Sequence, residues 1–174
     1  GVKTEPGNGI LDINAPPKAS ETANEFARAE KTEKASGFVD KAAVQLSGRL
    51  SPVKPCQILH FRMDAEGLKE AARRRGTTIT AYVLALLFMA GCAATDECEG
   101  TFSIQVPVNM RKFHPSDTVR NFSMYCGIRL PIAAITDVGA ILPEITRQLL
   151  EKTDQSAMGE MMYATEYMVK LMRY

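Results

Sequence analysis

Residues 103–131 read SIQVPVNMRKFHPSDTVRNFSMYCGIRLP, and their alternation decides the fold class. Ile104, Val106, Val108 and Met110 share one face of an extended chain, with Gln105, Asn109 and Arg111 on the other. Phe122, Met124, Cys126, Ile128 and Leu130 repeat the period of two. Side chains of a strand point alternately to opposite faces, so the pattern predicts two half-buried strands of one sheet. The segment between them is polar and carries His114 directly before Pro115. A residue preceding proline is held extended or in a turn, which puts His114 in a loop.

Working outward toward the N-terminus, residues 57–63 alternate again. Leu59, Phe61 and Met63 oppose Ile58, His60 and Arg62, so a third strand is expected there. Asp64 follows as a helix cap, accepting backbone N–H groups of the first turn, a contact worth about 1 kcal/mol. The helix it opens spans residues 65–75, packs Leu68, Ala71 and Ala72, and stops at Gly76. Arg73, Arg74 and Arg75 sit at its C-terminus, where cations complement the helix dipole. Thr77 or Thr78 caps the next helix, residues 79–94, which is apolar on every side and reads as a buried central helix.

Toward the C-terminus, Thr136 is the expected cap of a helix from residue 137 to about 152. Val138, Ile141, Leu142, Ile145 and Leu149 form its stripe, and Pro143 should kink it or delay its start. Residues 157–173 place Met158, Met161, Met162, Thr165, Met168 and Met172 on one side at helical spacing. Residues 1–54 are poor in large apolar side chains and carry Pro6, Pro16, Pro17 and Pro52, so they read as a linker. Short helical elements are expected within it at residues 20–33 and 38–46. These elements together predict an α/β (α+β) two-layer sandwich, a mixed sheet with helices mainly on one face.

The order Pro107, Asn109, Arg111, Pro115, Asn121, Phe122 resembles a "PVN-R, then P, then NF" strand-loop-strand. It is similar to that of the condensation-domain and alcohol-acetyltransferase branch of the chloramphenicol-acetyltransferase-like superfamily. The likeness covers residues 57–155. It implies two back-to-back α/β halves with an acyl-thioester tunnel between them, and a catalytic His-His-x-x-x-Asp-Gly motif in the first half. No such motif occurs in these 174 residues. The expectation is therefore a fragment: residues 1–54 a linker or crossover containing the proline-broken GILDINAPPKASE, and residues 55–174 an incomplete C-terminal subdomain of one such half.

The same resemblance implies a parent acyltransferase. It would move an acyl group from a thioester of coenzyme A or a phosphopantetheine carrier protein to an alcohol or amine. The fragment itself is expected to be inactive and to supply one tunnel wall. The resemblance marks Asn109, Arg111 and Asn121, for which locking the loop is favoured over direct substrate contact. Ser123 and Tyr125 are polar tips on the strand face opposite Phe122 and Met124, where donor or acceptor would lie. The alternative is a non-catalytic binding or docking module, since a fold can keep its groove after losing its base.

Composition narrows the field. Apolar residues make up 45% of the chain and charged residues 24%, ordinary globular usage that argues against wholesale disorder. With 21 basic and 20 acidic side chains the net charge is +1, so no global field favours nucleic acid or an anionic membrane. The KEAARRR run at residues 69–75 could meet phosphates, yet it lacks interleaved aromatics and reads as a solvated helix end. The longest uncharged run, residues 76–95, includes four threonines and falls short of the roughly 20 apolar residues that span a bilayer. Cys56, Cys92, Cys98 and Cys126 are irregularly spaced, which favours reduced thiols in the cytoplasm over staples or a metal site.

His60 and Asp64 have the bare H-x-x-x-D spacing of the family motif. Cα atoms four apart on a strand lie about 13 Å from each other, too far to hydrogen-bond, and Asp64 already caps a helix. His114 is the only other histidine; it reads as an exposed loop residue, or as one near a tunnel mouth. The methionine stripe is more often ordinary core, since Met fills irregular gaps; if it docks on the missing remainder, it would lie bare here and drive self-association.

Overall fold

In the computed structural model, residues 15–32, 42–46, 58 and 60–172 are described. Among them are four α-helices and one two-stranded antiparallel sheet, an α+β arrangement. Strand β1 is Thr101–Asn109 and β2 is Ser123–Pro131. Their register pairs Ile104 with Ile128, Val106 with Cys126 and Val108 with Met124. The even-numbered residues therefore share one face, and Phe102, Val108, Met124, Cys126, Ile128 and Leu130 are buried there. This is the alternation expected from the sequence.

Helix α1 is Ala65–Arg74. The Asp64 carboxylate accepts from the N–H groups of Glu66 and Gly67 as its cap. It ends at Gly76, whose φ of +64° is a left-handed conformation that costs glycine nothing sterically. Helix α2 is Ile79–Ala93, and Thr78 rather than Thr77 caps it, its hydroxyl accepting from Ala81 N–H at 3.2 Å. Helix α3, Val138–Lys152, begins one residue later than expected. Asp137 is its cap, not Thr136, with Oδ1 accepting from Ala140 N–H at 3.1 Å. The helix runs through Pro143, which stands at its sixth position. Helix α4 is Gln155–Leu171, capped by Asp154.

One core joins these elements: the even face of the hairpin with Leu84, Ala85 and Phe88 of α2, Ile141 and Ile145 of α3, and Met158 and Met162 of α4. An isolated two-stranded ribbon is marginal in water. Here the helices supply the apolar cover, and each fully buried large side chain contributes roughly 1.5–3 kcal/mol.

Several expectations are corrected. Ile58 and His60–Met63 form no strand, while Gln57 and Leu59 lie outside the described residues. The described sheet therefore consists of β1 and β2 alone, paired antiparallel. Helix α2 is not buried all round: Leu86 and Leu87 stay exposed because neighbours cover only the side bearing Ala81, Leu84, Ala85 and Phe88. The methionine stripe is not bare along its length, since Met158 and Met162 are core; only the last turns, with Met168 and Met172, are exposed. Of the elements expected in residues 1–54, a single 3-10 turn is described, Glu25–Arg28. Residues 42–46 are irregular, and the rest of the expected 38–46 element lies outside the described residues.

The two edges of the hairpin differ. Pairing parity turns the backbone groups of the odd residues outward, as the bonds Met110 N–H to Phe122 O and Ile132 N–H to Gly100 O show. On β2, Gln148 of α3 covers that edge: Oε1 accepts from Arg129 N–H at 3.0 Å and Nε2 donates to Arg129 O at 2.7 Å. Lys152 Nζ donates to Gly127 O. On β1, Pro107 has no N–H to offer and occupies an outward position, the place a sheet tolerates proline.

Candidate functional site

The loop between the strands is built around Phe122, which is 1% exposed. Phe26 meets its ring edge-on at 5.3 Å and 87°, and His114 lies tilted against it at 6.5 Å. The Arg111 guanidinium sits 6.0 Å above the same ring. Arg111 Nη2 donates to the carbonyls of Thr118 and, at 3.0 Å, of Arg120. One guanidinium nitrogen thus holds two carbonyls of the loop, while the rigid plane of the group lies over the ring.

Asn109 ends β1. Its Oδ1 accepts from Arg111 N–H at 3.1 Å and so caps the 3-10 turn Met110–Lys112. Asn121 Oδ1 accepts from the Ser123 hydroxyl at 2.6 Å. Ser123 stands opposite Asn109 in the register, and Tyr125 opposite Pro107. Asn109, Ser123 and Tyr125 thus share the odd, polar face of the hairpin at one end. Arg111 and Asn121 lie in the adjoining loop. Asn109, Arg111 and Asn121 are all engaged in holding this loop.

Thr118 and Gln148 were not marked by the sequence, yet both organise the region. Thr118 is 3% exposed, and its hydroxyl donates to Ala23 O at 2.8 Å while Val119 N–H donates to Glu21 O at 2.8 Å. These bonds fasten residues 21–23 of the expected linker onto the loop. Gln148 stands seven residues after Ile141 and three after Ile145, on the apolar stripe of α3. A polar residue at a stripe position was the available signal.

His114 is half-buried and lines two adjoining small cavities, of about 210 and 230 Å3, with Met162 and Glu30. Glu25 borders one of them. Its carboxyl is held below the usual range by a hydrogen bond from Ser116, with Arg28 at 2.7 Å adding to the effect. Burial pushes the Cys126 thiol up, which keeps it in the weakly nucleophilic protonated form. His60 is exposed, and Asp64 is occupied as a cap. Among the described residues no group of His, Cys, Asp and Glu is placed to hold a metal ion. No single described helix is long and apolar enough to cross a membrane.

A larger groove, about 770 Å3, runs along the outer edge of β1. It is bounded by residues 42–46, by Leu87, Phe88 and Gly91 of α2, and by Phe102–Gln105 with Arg129. Comparison with protein-family models, curated proteins and solved structures finds no match.

Proposed function

We propose that these residues belong to an acyltransferase of the chloramphenicol-acetyltransferase-like kind, as the second of its two halves. The finer architecture, a two-layer half with a mixed sheet facing an acyl tunnel, is part of the same proposal. The reading is supported chiefly by one observation: the PVN-R and NF residues lie in a strand-loop-strand whose loop is clamped by Arg111 over Phe122. The donor would be a thioester of coenzyme A or of a phosphopantetheine carrier, and the acceptor an alcohol or amine. The proposed setting is the cytoplasm, where its thiols stay reduced.

The chemistry balances with one base. The acceptor oxygen or nitrogen attacks the thioester carbonyl carbon while its proton passes to a histidine. The C–S bond then breaks and the departing sulfur takes the proton back. An alcohol of high pKa attacks poorly unless a positioned base accepts that proton in the transition state. The His-His-x-x-x-Asp-Gly segment that would supply this base is not in the 174 residues. Ser123 and Tyr125 would present polar groups to donor or acceptor from the odd face of the hairpin. Asn109, Arg111 and Asn121 would keep that face in position.

The engagement of those last three residues within the loop favours a second reading, a non-catalytic docking module. The experiment follows thiol release from acetyl-coenzyme A, with an alcohol acceptor, by the 174-residue chain alone. The expected result is no turnover. Measurable transfer would overturn the assignment of the base to other residues. Within a longer active protein, Ser123→Ala that leaves turnover and KM unchanged would remove Ser123 from the substrate face.

A further inference from the structure

The two edges of the hairpin are treated unequally. Gln148 and Lys152 satisfy the outward groups of Arg129 and the outward carbonyl of Gly127 on β2. On β1 the outward groups belong to Thr101, Ser103, Gln105, Pro107 and Asn109. Among the described residues, only Val44 meets their backbone, its N–H donating to Thr101 O at 2.9 Å. Ser103 and Gln105 carry no charge, so Pro107 is the chief device blunting this edge. Edges left in this state accept further strands.

A candidate donor segment exists in the same chain. Residues 58 and 60–63 alternate as a strand should, yet no hydrogen bond joins them to other described residues. Ile58 is 78% exposed, Phe61 82% and Met63 71%. Three large apolar side chains in six residues standing in water are costly, because the free energy of burying them goes unrealised. Beside the open edge the groove offers Leu87, 50% exposed, as an apolar wall.

We infer that the β1 edge receives residues 58–63 of a second copy of this chain, so that two copies exchange these segments reciprocally. Each copy carries one donor segment and one acceptor edge, and reciprocal exchange satisfies both at once in a closed two-fold dimer. Main-chain bonds would run from the donor segment to Ser103 and Gln105. Phe61 and Met63 would face Leu87 across the groove. The interface is distinct from the exposed end of α4, where Tyr167, Met168, Leu171 and Met172 form the rival apolar surface. It is also independent of the acyl-transfer reading.

The test is sedimentation velocity on the complete chain across a wide concentration range. Phe61→Asp changes an exposed side chain on the donor segment. Gln105→Pro removes an outward N–H from the acceptor edge, at a position of the same parity as Pro107. The wild-type chain is expected to dimerise, and each variant alone should weaken the dimer at least ten-fold. A mixture of the two variants regains association, because the intact segment of Gln105→Pro fits the intact edge of Phe61→Asp. A wild-type chain that stays monomeric overturns the inference. So does a dimer that Phe61→Asp leaves unchanged, or one lost only on Met168→Glu. The Phe61→Asp arm stands alone if Gln105→Pro does not fold.

Discussion

Replacing Arg111 by alanine separates its two possible roles, because one shows in stability and the other does not. In the folded chain its guanidinium bonds two loop carbonyls, of Thr118 and Arg120, and covers the Phe122 ring. A hydrogen bond to a charged group contributes about 1.5–3 kcal/mol, and the half-exposed position argues for the low end of that range. The contact over the ring adds about 0.5–1 kcal/mol. Allowing for non-additivity, the loss should be about 2–4 kcal/mol. For a chain of this size a kcal/mol moves the melting temperature by about 2–4 °C, so the drop should be about 5–15 °C. Arg111→Lys should recover only part of it, since a flexible ammonium does not reproduce the planar guanidinium over the Phe122 ring. Thermal unfolding followed by circular dichroism, with urea midpoints alongside, measures both variants. A drop of less than about 2 °C for Arg111→Ala, under one kcal/mol at this size, would refute the clamp. Arg111 would then be available to a ligand.

Gln148→Ala should cost about 1–3 kcal/mol in urea unfolding, because Arg129 N–H and C=O would lose their partner at a half-buried edge; a midpoint within error of wild type would contradict the edge-covering role. Glu144, beside Arg147 and Gln148, has its carboxyl lowered to about 2 from an ordinary 4.5. A depressed folded value means its contribution is complete above about pH 4.5 and is lost as pH falls toward about 2. The melting-temperature gap between wild type and Glu144→Gln should therefore narrow between about pH 5 and pH 2, and a constant gap would count against the pairing. Met162→Ala, at a side chain 2% exposed, should destabilise by about 2–5 kcal/mol as a core truncation. A surface-like loss under about 0.5 kcal/mol would instead restore the bare-stripe reading of α4.

The hairpin was legible because period-two alternation reports burial on one face directly, and both β1 and β2 lie where Ile104–Val108 and Phe122–Leu130 put them. Caps were partly legible: Asp64 caps α1 as expected and Thr78 takes the place left open between Thr77 and Thr78, whereas Asp137 rather than Thr136 caps α3 and the Asp154 cap of α4 was missed. Residues 58–63 show the limit. Alternation says that a segment suits a half-buried strand, but not which edge receives it, and Ile58, Phe61 and Met63 stay exposed. Uniform hydrophobicity misled in the same way for α2, since Leu86 and Leu87 look like core until neighbours are counted. Of the candidate site, the sequence marked Asn109, Arg111, Asn121, Ser123 and Tyr125 but not their local bonds. Thr118 was invisible because its acceptors are main-chain carbonyls, which carry no signature in the side-chain sequence, and Gln148 showed only as a polar residue on the apolar stripe of α3.

The most direct test of the acyl-transfer account is thiol release from an acyl-coenzyme A by a longer polypeptide. It should contain these 174 residues together with the segment encoded upstream of Gly1. The account expects that segment to hold His-His-x-x-x-Asp-Gly, and expects turnover that disappears when the second histidine is changed to alanine. An upstream segment without the motif, or one with the motif and no transfer to any alcohol or amine, would contradict it.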